Sequence, residues 1–302
     1  MMQSMSKLAA VCVALLLVLI SSAPALASSS MKLVHSERSL YRDVMVYEYD
    51  GQRCICFVRE CRVGRQSCSF LTASSEFVME YTQMVLAGSL ALNPDPKKVL
   101  VLGLGGGILP TAMSKLLPTA AIDVVEIDPA VTQVAKQYFA FREGGNTRVY
   151  EMDARVFVKR AGREGRKYDL VVLDAFDREY IPEHLLTREY LTEVKALLKP
   201  GSVLAANTFS GTRLYDHEST TYASVFGTFF NLKRGNRVIL TRIGGNPTPE
   251  VIQANARRHA AALAAFVPDA GWIYDLFTTE RDWDPSARVL TDQFSPANLL
   301  NR

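Results

Sequence analysis

The chain has 302 residues, which is enough for one large domain or for a large and a small one. With 48% hydrophobic and 22% charged residues, its composition is that of an ordinary globular protein. The formal net charge of +3 is too small and too dispersed to indicate nucleic-acid binding, so no nucleic-acid partner is expected.

Residues 1–27 are predicted to be a secretory signal peptide. Lys7 precedes the apolar run LAAVCVALLLVLI, and Ala25 and Ala27 form a small-x-small cleavage signal. The apolar run is shorter than the roughly 20 residues that a spanning helix needs. We therefore expect an exported protein, periplasmic or secreted, with no stable membrane span after cleavage. A membrane anchor formed by the uncleaved segment is the alternative.

Residues 31–75 are predicted to form a small antiparallel β-domain. The strand DVMVYEY, the turn Asp50-Gly51 and the strand RCICFV have the pattern of a hairpin, and RQSCSFL resembles a further strand. A domain of this size buries little core by itself, so we expect it to pack on the next segment of the chain.

Four cysteines lie close together in this β-domain: Cys54, Cys56, Cys61 and Cys68. An even, clustered set in an exported protein favours disulfides, and we expect at least one, with the pairing open. Cys54 and Cys56 share one face of a strand. Each would therefore bond to a cysteine on a neighbouring strand more readily than the two would bond to each other. The spacing lacks the paired C-x-x-C motifs of common zinc modules, and no metal is expected. Four buried thiols remain an alternative.

Residues 76–302 are predicted to form an α/β domain. The helix-like run SEFVMEYTQMVLAGSLAL ends at Asn93-Pro94, and strand-like and helix-like segments then alternate. The strands are nearly continuous apolar runs, as expected when helices cover both faces of a sheet. This pattern predicts a doubly wound, mainly parallel, Rossmann-like sheet whose ligand lies beyond the carboxyl ends of the strands.

A glycine-rich loop follows the first strand of this domain. Gly103, Gly105 and Gly107 would let the backbone turn tightly and approach a ligand, so all three are candidate cofactor-binding residues. The loop departs from G-x-G-x-x-G because its sixth position is Ile108. That departure argues against a dehydrogenase with a nicotinamide cofactor, which is retained as a minor alternative.

Acidic residues end the second and third strands. Glu126 lies 23 residues after Gly103, where a carboxylate would accept hydrogen bonds from both ribose hydroxyls. Met152 and Asp153 end the third strand and would stack on adenine and accept from its amino group. Each acid taken singly is more often a helix cap. Their position at successive strand ends predicts a nucleoside site.

The fourth strand ends in LDAFDREYIPEHLL, which places Asp174 and Asp177 three positions apart at the same edge. Together, VLGLGGG, VVEIDP, EMDA and LDAFD resemble the S-adenosylmethionine-dependent methyltransferase-type fold. More narrowly, they are similar to the spermidine synthases, the polyamine aminopropyltransferases. The resemblance covers roughly residues 36–245 and includes the small β-domain.

The resemblance implies a transferase whose donor is S-adenosylmethionine or its decarboxylated form and whose acceptor is a small amine. Asp174 matches the family's general base, and Asp177 matches the acid that binds the substrate amines. Tyr81, Gln83 and Asn207 fall at or beside positions that contact substrate. No metal is expected at this site, and the family often forms homodimers.

Three departures fall in the half of the site that would hold a polyamine. The family's glycine loop carries an aspartate that binds the amine of the donor's aminopropyl group, and this chain has Gly106 there. The family's Tyr-Gln pair before the first strand reads Tyr81-Thr82 here, followed by Gln83, and Arg178 replaces the proline after the second aspartate. In addition, Asn207 lies where the family has a glutamine that contacts the polyamine. The nucleoside half is kept and the polyamine half is altered.

Three functions remain open at this point. Aminopropyl transfer to an amine is the family default. Methyl transfer is the rival, because the loss of the acid at Gly106 removes the group that distinguishes the decarboxylated donor. A non-catalytic exported nucleoside-binding protein is the third, because S-adenosylmethionine is made in the cytosol.

Overall fold

A computed structural model describes residues 30–175, 180–208 and 211–301 of the chain. The predicted signal peptide, residues 1–27, and the predicted substrate-binding residue Asp177 lie outside these described residues. No helix within the described ranges is long and apolar enough to cross a membrane.

The described residues form eleven strands, nine α-helices and a short 3-10 helix, Glu183–Leu185. The strands are β1 (Lys32–Arg38), β2 (Asp43–Tyr49), β3 (Gln52–Cys56), β4 (Arg65–Phe70), β5 (Lys98–Leu102), β6 (Ala121–Glu126), β7 (Thr147–Glu151), β8 (Tyr168–Leu173), β9 (Leu198–Thr208), β10 (Phe230–Arg234) and β11 (Asn236–Arg242). The helices are α1 (Glu80–Leu92), α2 (Ile108–Leu116), α3 (Pro129–Tyr138), α4 (Ala154–Arg163), α5 (Arg188–Ala196), α6 (Leu214–Phe226), α7 (Pro249–Leu263), α8 (Gly271–Asp275) and α9 (Ala297–Leu300).

The four N-terminal strands form an antiparallel sheet in the order β1-β2-β3-β4. The predicted hairpin is confirmed. Asp50 and Gly51 join β2 to β3 with φ values of 49° and 72°, the left-handed conformation of a tight hairpin turn. Strand β1 pairs with β2 and adds one strand to the predicted set.

The remaining strands form a seven-stranded sheet in the order β10-β11-β9-β8-β5-β6-β7. Strands β5 to β9 run parallel, and β10 and β11 form an antiparallel edge. Strand β8 is buried along its whole length, which explains why its sequence is an apolar run without alternation. The prediction of a doubly wound, mainly parallel sheet preceded by a small antiparallel one is confirmed.

The small sheet packs on α3 and belongs with the large sheet to one compact unit. Val44, Val46 and Ile55 lie in one apolar cluster with Val131 and Phe139 of the α3 region. Tertiary packing of this kind holds the last strand of the small sheet, β4, above the start of the α/β domain. The expectation that the small domain packs on the α/β segment is therefore confirmed.

Two disulfides tie the small sheet together. Cys54 of β3 bonds to Cys68, its register partner on β4, and Cys56 bonds to Cys61 in the intervening loop. The expectation of at least one disulfide is confirmed. The bond from Cys54 crosses to the neighbouring strand, as the shared face of Cys54 and Cys56 indicated.

Candidate active site

The candidate site is a cleft of about 1160 Å³ at the carboxyl ends of the parallel strands. The loops after β5, β6, β7 and β8 form one wall, and the small sheet forms the facing wall. Ligands of doubly wound sheets bind at this edge, because helix N-termini and polar loop residues converge there. The predicted position of the site and the position of the cleft agree.

The glycine loop forms the floor of the cleft. Gly103 and Gly105 line it and have positive φ values of 104° and 53°. A Cβ on Gly103 would overlap the backbone carbonyl of Asp174. The absence of a side chain therefore lets the loop after β5 cross directly over the end of β8.

Gly107 has a structural position, which corrects the predicted contact with a cofactor. It caps the N-terminus of α2 with φ 69°, and a Cβ there would lie 2.6 Å from the ring of Phe141. The described lining of the cleft does not include Gly107, and the Cβ direction of Gly107 points at this ring. Glycine is needed here for the turn and for the close packing of Phe141.

Glu126 ends β6 with both carboxylate oxygens held by backbone amides. Oε2 accepts a hydrogen bond from the Leu104 amide and Oε1 accepts one from the Asp128 amide, each at 3.0 Å. Burial raises the pKa of Glu126, and the two amides oppose that shift. The carboxylate lines the cleft in a fixed orientation, and its remaining lone pairs suit two neighbouring hydroxyl donors such as those of a ribose.

Met152 and Asp153 both line the cleft at the end of β7. Asp153 caps α4, since Oδ1 accepts from the Val156 amide at 2.9 Å. Its other oxygen lies 2.9 Å from Nε2 of His184, a second residue of the cleft lining. An adenine amino group that reached Asp153 would therefore share Oδ2 with this histidine. The pairing of His184 with Asp153 was not predicted from the sequence.

Asp174 lies at the end of β8 and is held by two neutral donors. Tyr81 donates its hydroxyl to Oδ2 at 3.1 Å, and Asn207 donates Nδ2 to Oδ1 at 2.9 Å. The pKa of Asp174 is raised to about 7, because burial and the charge of Glu126 together outweigh the hydrogen bonds from Asn207 and Tyr81, which lower it. A carboxylate with this pKa accepts a proton readily near neutral pH.

Asn207 is oriented from both ends of its amide. While Nδ2 donates to Asp174, its Oδ1 accepts from Nδ2 of Asn236 at 3.0 Å. Asn236 begins β11, which pairs with β9 from Arg237 to Arg242. The predicted substrate residue Asn207 thus lies in the cleft, where it contacts the candidate base directly.

Gln83 has a position that corrects the predicted contact with substrate. Its Nε2 donates to the backbone carbonyl of Phe77 at 2.8 Å. Helix α1 begins at Glu80, and successive side chains rotate by about 100° around a helix. Tyr81 therefore faces the cleft and Gln83 does not, and within the described part of the chain the lining includes Tyr81 and Thr82 but omits Gln83.

The facing wall of the cleft was not predicted from the sequence. Strand β4 carries a bulge, since Ile55 pairs with Ser67, Cys56 pairs with Arg65, and Gln66 is left between them. Bulges of this kind re-aim side chains beside active sites. The lining residues from the small sheet and its loops are Tyr41, Arg42, Phe57, Arg62, Val63, Arg65, Gln66 and Ser67. Within this described part of the lining there are three arginines and no acid.

Tyr215 and His217, two polar residues at the start of α6, lie outside the cleft. Tyr215 donates its hydroxyl to Asp282 at 2.6 Å, and Nδ1 of His217 lies 2.7 Å from the Arg288 carbonyl. Neither belongs to the described lining of the cleft. In the described ranges, no three side chains of the metal-ligating types converge on one point.

The sheet order, the glycine turn over β8 and the anchored carboxylate at the end of β6 define an enzyme of the methyltransferase-type, nucleoside-binding class. The sequence profile of the spermine/spermidine synthase domain matches residues 78–234. The chain belongs to the spermine/spermidine synthase family and is a transferase.

Individual relatives agree with this assignment. The polyamine aminopropyltransferase of Vibrio vulnificus is 48% identical over 273 residues, which cover 89% of this chain and 91% of that protein. A probable spermidine synthase from Corynebacterium glutamicum superposes with a TM-score of 0.61 at 16% identity, covering 83% of this chain and 96% of that one. Human methyltransferase-like protein 13 in complex with SAH superposes with a TM-score of 0.56 at 22% identity, covering 69% of this chain and 96% of that one. The two structural likenesses concern the fold alone.

Proposed function

We propose that this protein transfers the aminopropyl group of decarboxylated S-adenosylmethionine to a small amine. The observation that carries the proposal is the position of Asp174, a partly buried carboxylate with a pKa raised to about 7 beside the glycine turn. Membership of the spermine/spermidine synthase family and the 48% identity to a polyamine aminopropyltransferase support it.

The reaction needs a neutral amine as nucleophile, and Asp174 supplies the group that accepts the proton released after the attack. The amine nitrogen attacks the methylene carbon beside the sulfonium, the carbon–sulfur bond breaks, and methylthioadenosine leaves with the electron pair on sulfur. The nitrogen becomes positively charged as the sulfur loses its charge, and it then releases a proton. Asp174 accepts that proton, and its charge stabilises the developing ammonium in the buried site.

Tyr81 and Asn207 set the strength of this base. Burial raises the pKa of Asp174, whereas the two donors lower it by stabilising its ionised form. Burial and the Asp174 charge raise the pKa of Tyr81 well above its usual value, so its hydroxyl remains a donor throughout the neutral range. The pair leaves Asp174 poised between its two protonation states near pH 7.

The nucleoside half of the site supplies the orientation. The Glu126 carboxylate suits the ribose hydroxyls, and Met152 suits the adenine face, as the sequence indicated. Holding the donor's adenosine at this edge places its sulfonium towards the ends of β5 and β8, where Asp174 lies. Orientation of this kind contributes to catalysis by removing the entropy cost of the encounter.

Product analysis tests the proposal. The purified protein is incubated with decarboxylated S-adenosylmethionine and a panel of diamines and polyamines, and products are identified by mass spectrometry. We expect equal amounts of methylthioadenosine and an aminopropylated amine. Asp174→Asn should abolish both products, while Asp95→Asn, an exposed site beside Lys97 ahead of β5, should leave them unchanged.

Methyl transfer is the second candidate, and Gly106 is the observation that favours it. Methyl transfer from S-adenosylmethionine yields S-adenosylhomocysteine, whereas alkyl-chain transfer yields methylthioadenosine. The same assay run with S-adenosylmethionine therefore separates the two reactions. Binding of adenosyl compounds without any turnover would instead favour the non-catalytic binding protein.

We also propose that residues 1–27 direct export and are removed after Ala27. The two disulfides support this compartment, because such bonds persist in oxidising environments. Cell fractionation combined with mass measurement of the N-terminus tests it. A cytosolic protein that retains Met1 would contradict the proposal. The homodimer suggested by the family remains a prediction.

A further inference from the structure

Asp153, the acid expected to meet the adenine amino group, is held from two sides. Its Oδ1 accepts from the Val156 amide at 2.9 Å, and Nε2 of His184 lies 2.9 Å from its Oδ2. A carboxylate accepts hydrogen bonds, so Nε2 of His184 is the donor in this contact. Donors on both oxygens fix the plane of the carboxylate, and the remaining acceptor sites of Oδ2 then point in a fixed direction.

His184 belongs to a loop that forms part of the cleft. The loop spans residues 181–185, and Pro182, His184 and Leu185 line the cleft. We name residues 181–185 the His184 loop. One internal backbone bond joins the Leu185 amide to the Pro182 carbonyl at 2.9 Å. Further backbone groups of the loop are bound by side chains from other parts of the chain.

Asn298, close to the C-terminus, binds the His184 loop as a neighbouring strand would. Its Nδ2 donates to the Ile181 carbonyl and its Oδ1 accepts from the Ile181 amide, each at 3.0 Å. The backbone amide and Nδ2 of Asn298 both donate to Oε1 of Glu183 at 3.2 Å. Ser295 donates its hydroxyl to the Glu183 carbonyl at 2.9 Å. One short segment therefore fixes two residues of the loop.

Asp292, earlier in the same segment, is connected to the backbone of His184 through Arg155. The Arg155 guanidinium donates to the His184 carbonyl at 3.2 Å and to the two oxygens of Asp292 at 2.7 and 2.8 Å. Paired hydrogen bonds of this kind fix the relative geometry of guanidinium and carboxylate. Because Arg155 lies on α4, which Asp153 caps, the C-terminal segment is tied both to the loop and to the helix behind the adenine acid.

Apolar packing also holds the segment in place. Ile181 and Leu186 form a cluster with Leu290 and Ala297, and all four side chains are buried. Burial of this apolar surface stabilises the docked position. We name residues 290–298 the C-terminal clasp, which lies outside the residues matched by the family profile, 78–234.

We infer that the C-terminal clasp and His184 are positioning elements of the donor site and hold Asp153 for the amino group of adenine. The clasp fixes the His184 loop, and His184 fixes the carboxylate. The inference rests on the proposed function, because it takes the ligand of the cleft to be an adenosyl compound. His184 acts on that ligand through Asp153 and takes no part in the transfer of the aminopropyl group.

The expected effect follows from preorganisation. A carboxylate that is already oriented loses little conformational freedom when it accepts the amino group, so more of the hydrogen-bond energy appears as affinity. Without His184, the Val156 amide still holds Oδ1 of Asp153, but Oδ2 loses this donor. The contribution of the amino group should therefore fall more than the affinity for the rest of the nucleoside.

The test measures that contribution with two ligands. Calorimetry is run on the purified full chain with methylthioadenosine and with the same compound carrying hydrogen in place of the 6-amino group of adenine. We name the ratio of the two dissociation constants the amino preference. The wild type should prefer methylthioadenosine by about tenfold or more, because the analogue leaves a charged acceptor without its hydrogen bond.

Variants of His184 test its role. His184→Leu should lower the amino preference by about fivefold or more, because Asp153 loses one of its two donors. Since His184 is exposed, the change should leave the fold intact. His184→Gln should keep most of the preference, because the amide nitrogen of glutamine can take the position of Nε2.

Asn298→Ala tests the C-terminal clasp. It should lower the amino preference of the wild type and have little further effect beside His184→Leu, because both changes act on the same contact. Asn255→Ala is the matched control. Asn255 also donates its Nδ2 to a backbone carbonyl, that of Ala91 at 2.9 Å, and it does not belong to the described lining of the cleft. It should leave the preference unchanged.

The outcomes separate the two roles. A wild type without an amino preference, or an unchanged preference in His184→Leu, overturns the inference. A larger preference in His184→Leu also overturns it, since the histidine would then compete with adenine for Asp153. Equal effects of Asn298→Ala in both backgrounds overturn the role of the clasp. Because binding is measured without an acceptor, absence of turnover contradicts the proposed function alone, whereas absence of methylthioadenosine binding contradicts both.

Discussion

Asn207 donates a hydrogen bond to Asp174 across the β8–β9 boundary at 2.9 Å, and this contact joins side chains at the ends of two neighbouring parallel strands. Asn236 holds the other end of the same amide. The contact stabilises the ionised form of a carboxylate whose pKa burial raises. The strength of the candidate base therefore depends on a residue that carries no charge.

Removal of the Asn207 amide should shift the pH dependence of turnover. Activity requires ionised Asp174, so it should rise as the pH passes about 7. Asn207→Leu removes a donor that lowers the pKa, and the rise should move to higher pH by about one unit. Asn207→Gln keeps an amide donor and should keep the midpoint near that of the wild type. The measurement is kcat/KM from about pH 5 to about pH 9; a lower rate with an unmoved midpoint would argue against this role.

Glu126→Gln should weaken donor binding. Glutamine offers one oxygen where two backbone amides, those of Leu104 and Asp128, now find an acceptor each. One amide loses its partner, and the affinity for methylthioadenosine should fall about tenfold or more by calorimetry. Glu151→Gln is the matched control, because Glu151 is exposed and pairs in register with Glu126 at the end of β7. Equal affinities for both variants would contradict the ribose role.

Gly106→Asp, which introduces the family's residue, should destabilise the protein. The new side chain meets Ser67 and Phe139, and crowding of this kind costs about 1–3 kcal/mol of the free energy of unfolding. Ser67→Gly in the same chain should recover part of the loss. Gly162→Asp is the control, because Gly162 is exposed on α4 and its Cβ would meet only Leu197 at 3.9 Å. Urea denaturation measures these variants beside the wild type, and a neutral Gly106→Asp would refute the crowding.

The two disulfides should contribute unequally to stability. Cys54 and Cys68 are 14 residues apart and Cys56 and Cys61 are 5 apart, so loop-closure entropy predicts about 3 and about 2 kcal/mol respectively. Denaturation of the two double-serine variants measures these values. Loss of the Cys54–Cys68 bond should also weaken donor binding, because Ser67 is next to Cys68 and lies against the Gly105–Gly106 turn. A variant that loses stability but keeps full donor affinity would show that the disulfide does not affect donor binding.

The sequence was sufficient to predict one wall of the cleft. Parallel strands bring their carboxyl ends to one edge, so Glu126, Asp153 and Asp174 could be placed together from the sequence alone. The fold followed from the same alternation of apolar strands and helices. Gln83 was misplaced because its position depends on where α1 begins, and a shift of one or two residues rotates a side chain to another face.

The facing wall could not be predicted, because it results from tertiary packing. Ser67 and Arg65 reach the cleft only because the small sheet docks on α3 and because β4 is bulged at Gln66. Neither the docking nor the register leaves a local signal in the sequence. Asn236 was missed for a similar reason, since its contact with Asn207 arises from the pairing of β11 with β9.

Single-turnover kinetics of Asp174→Asn tests the central claim most directly. The variant and the wild type are mixed with decarboxylated S-adenosylmethionine and excess amine, and the release of methylthioadenosine is followed, while calorimetry measures donor affinity separately. Since the substituted amide can neither stabilise the developing ammonium nor accept its proton, the release should slow by at least about a hundredfold with donor affinity preserved. Release at the wild-type rate would show that another group accepts the proton and would contradict the role of Asp174 as the base.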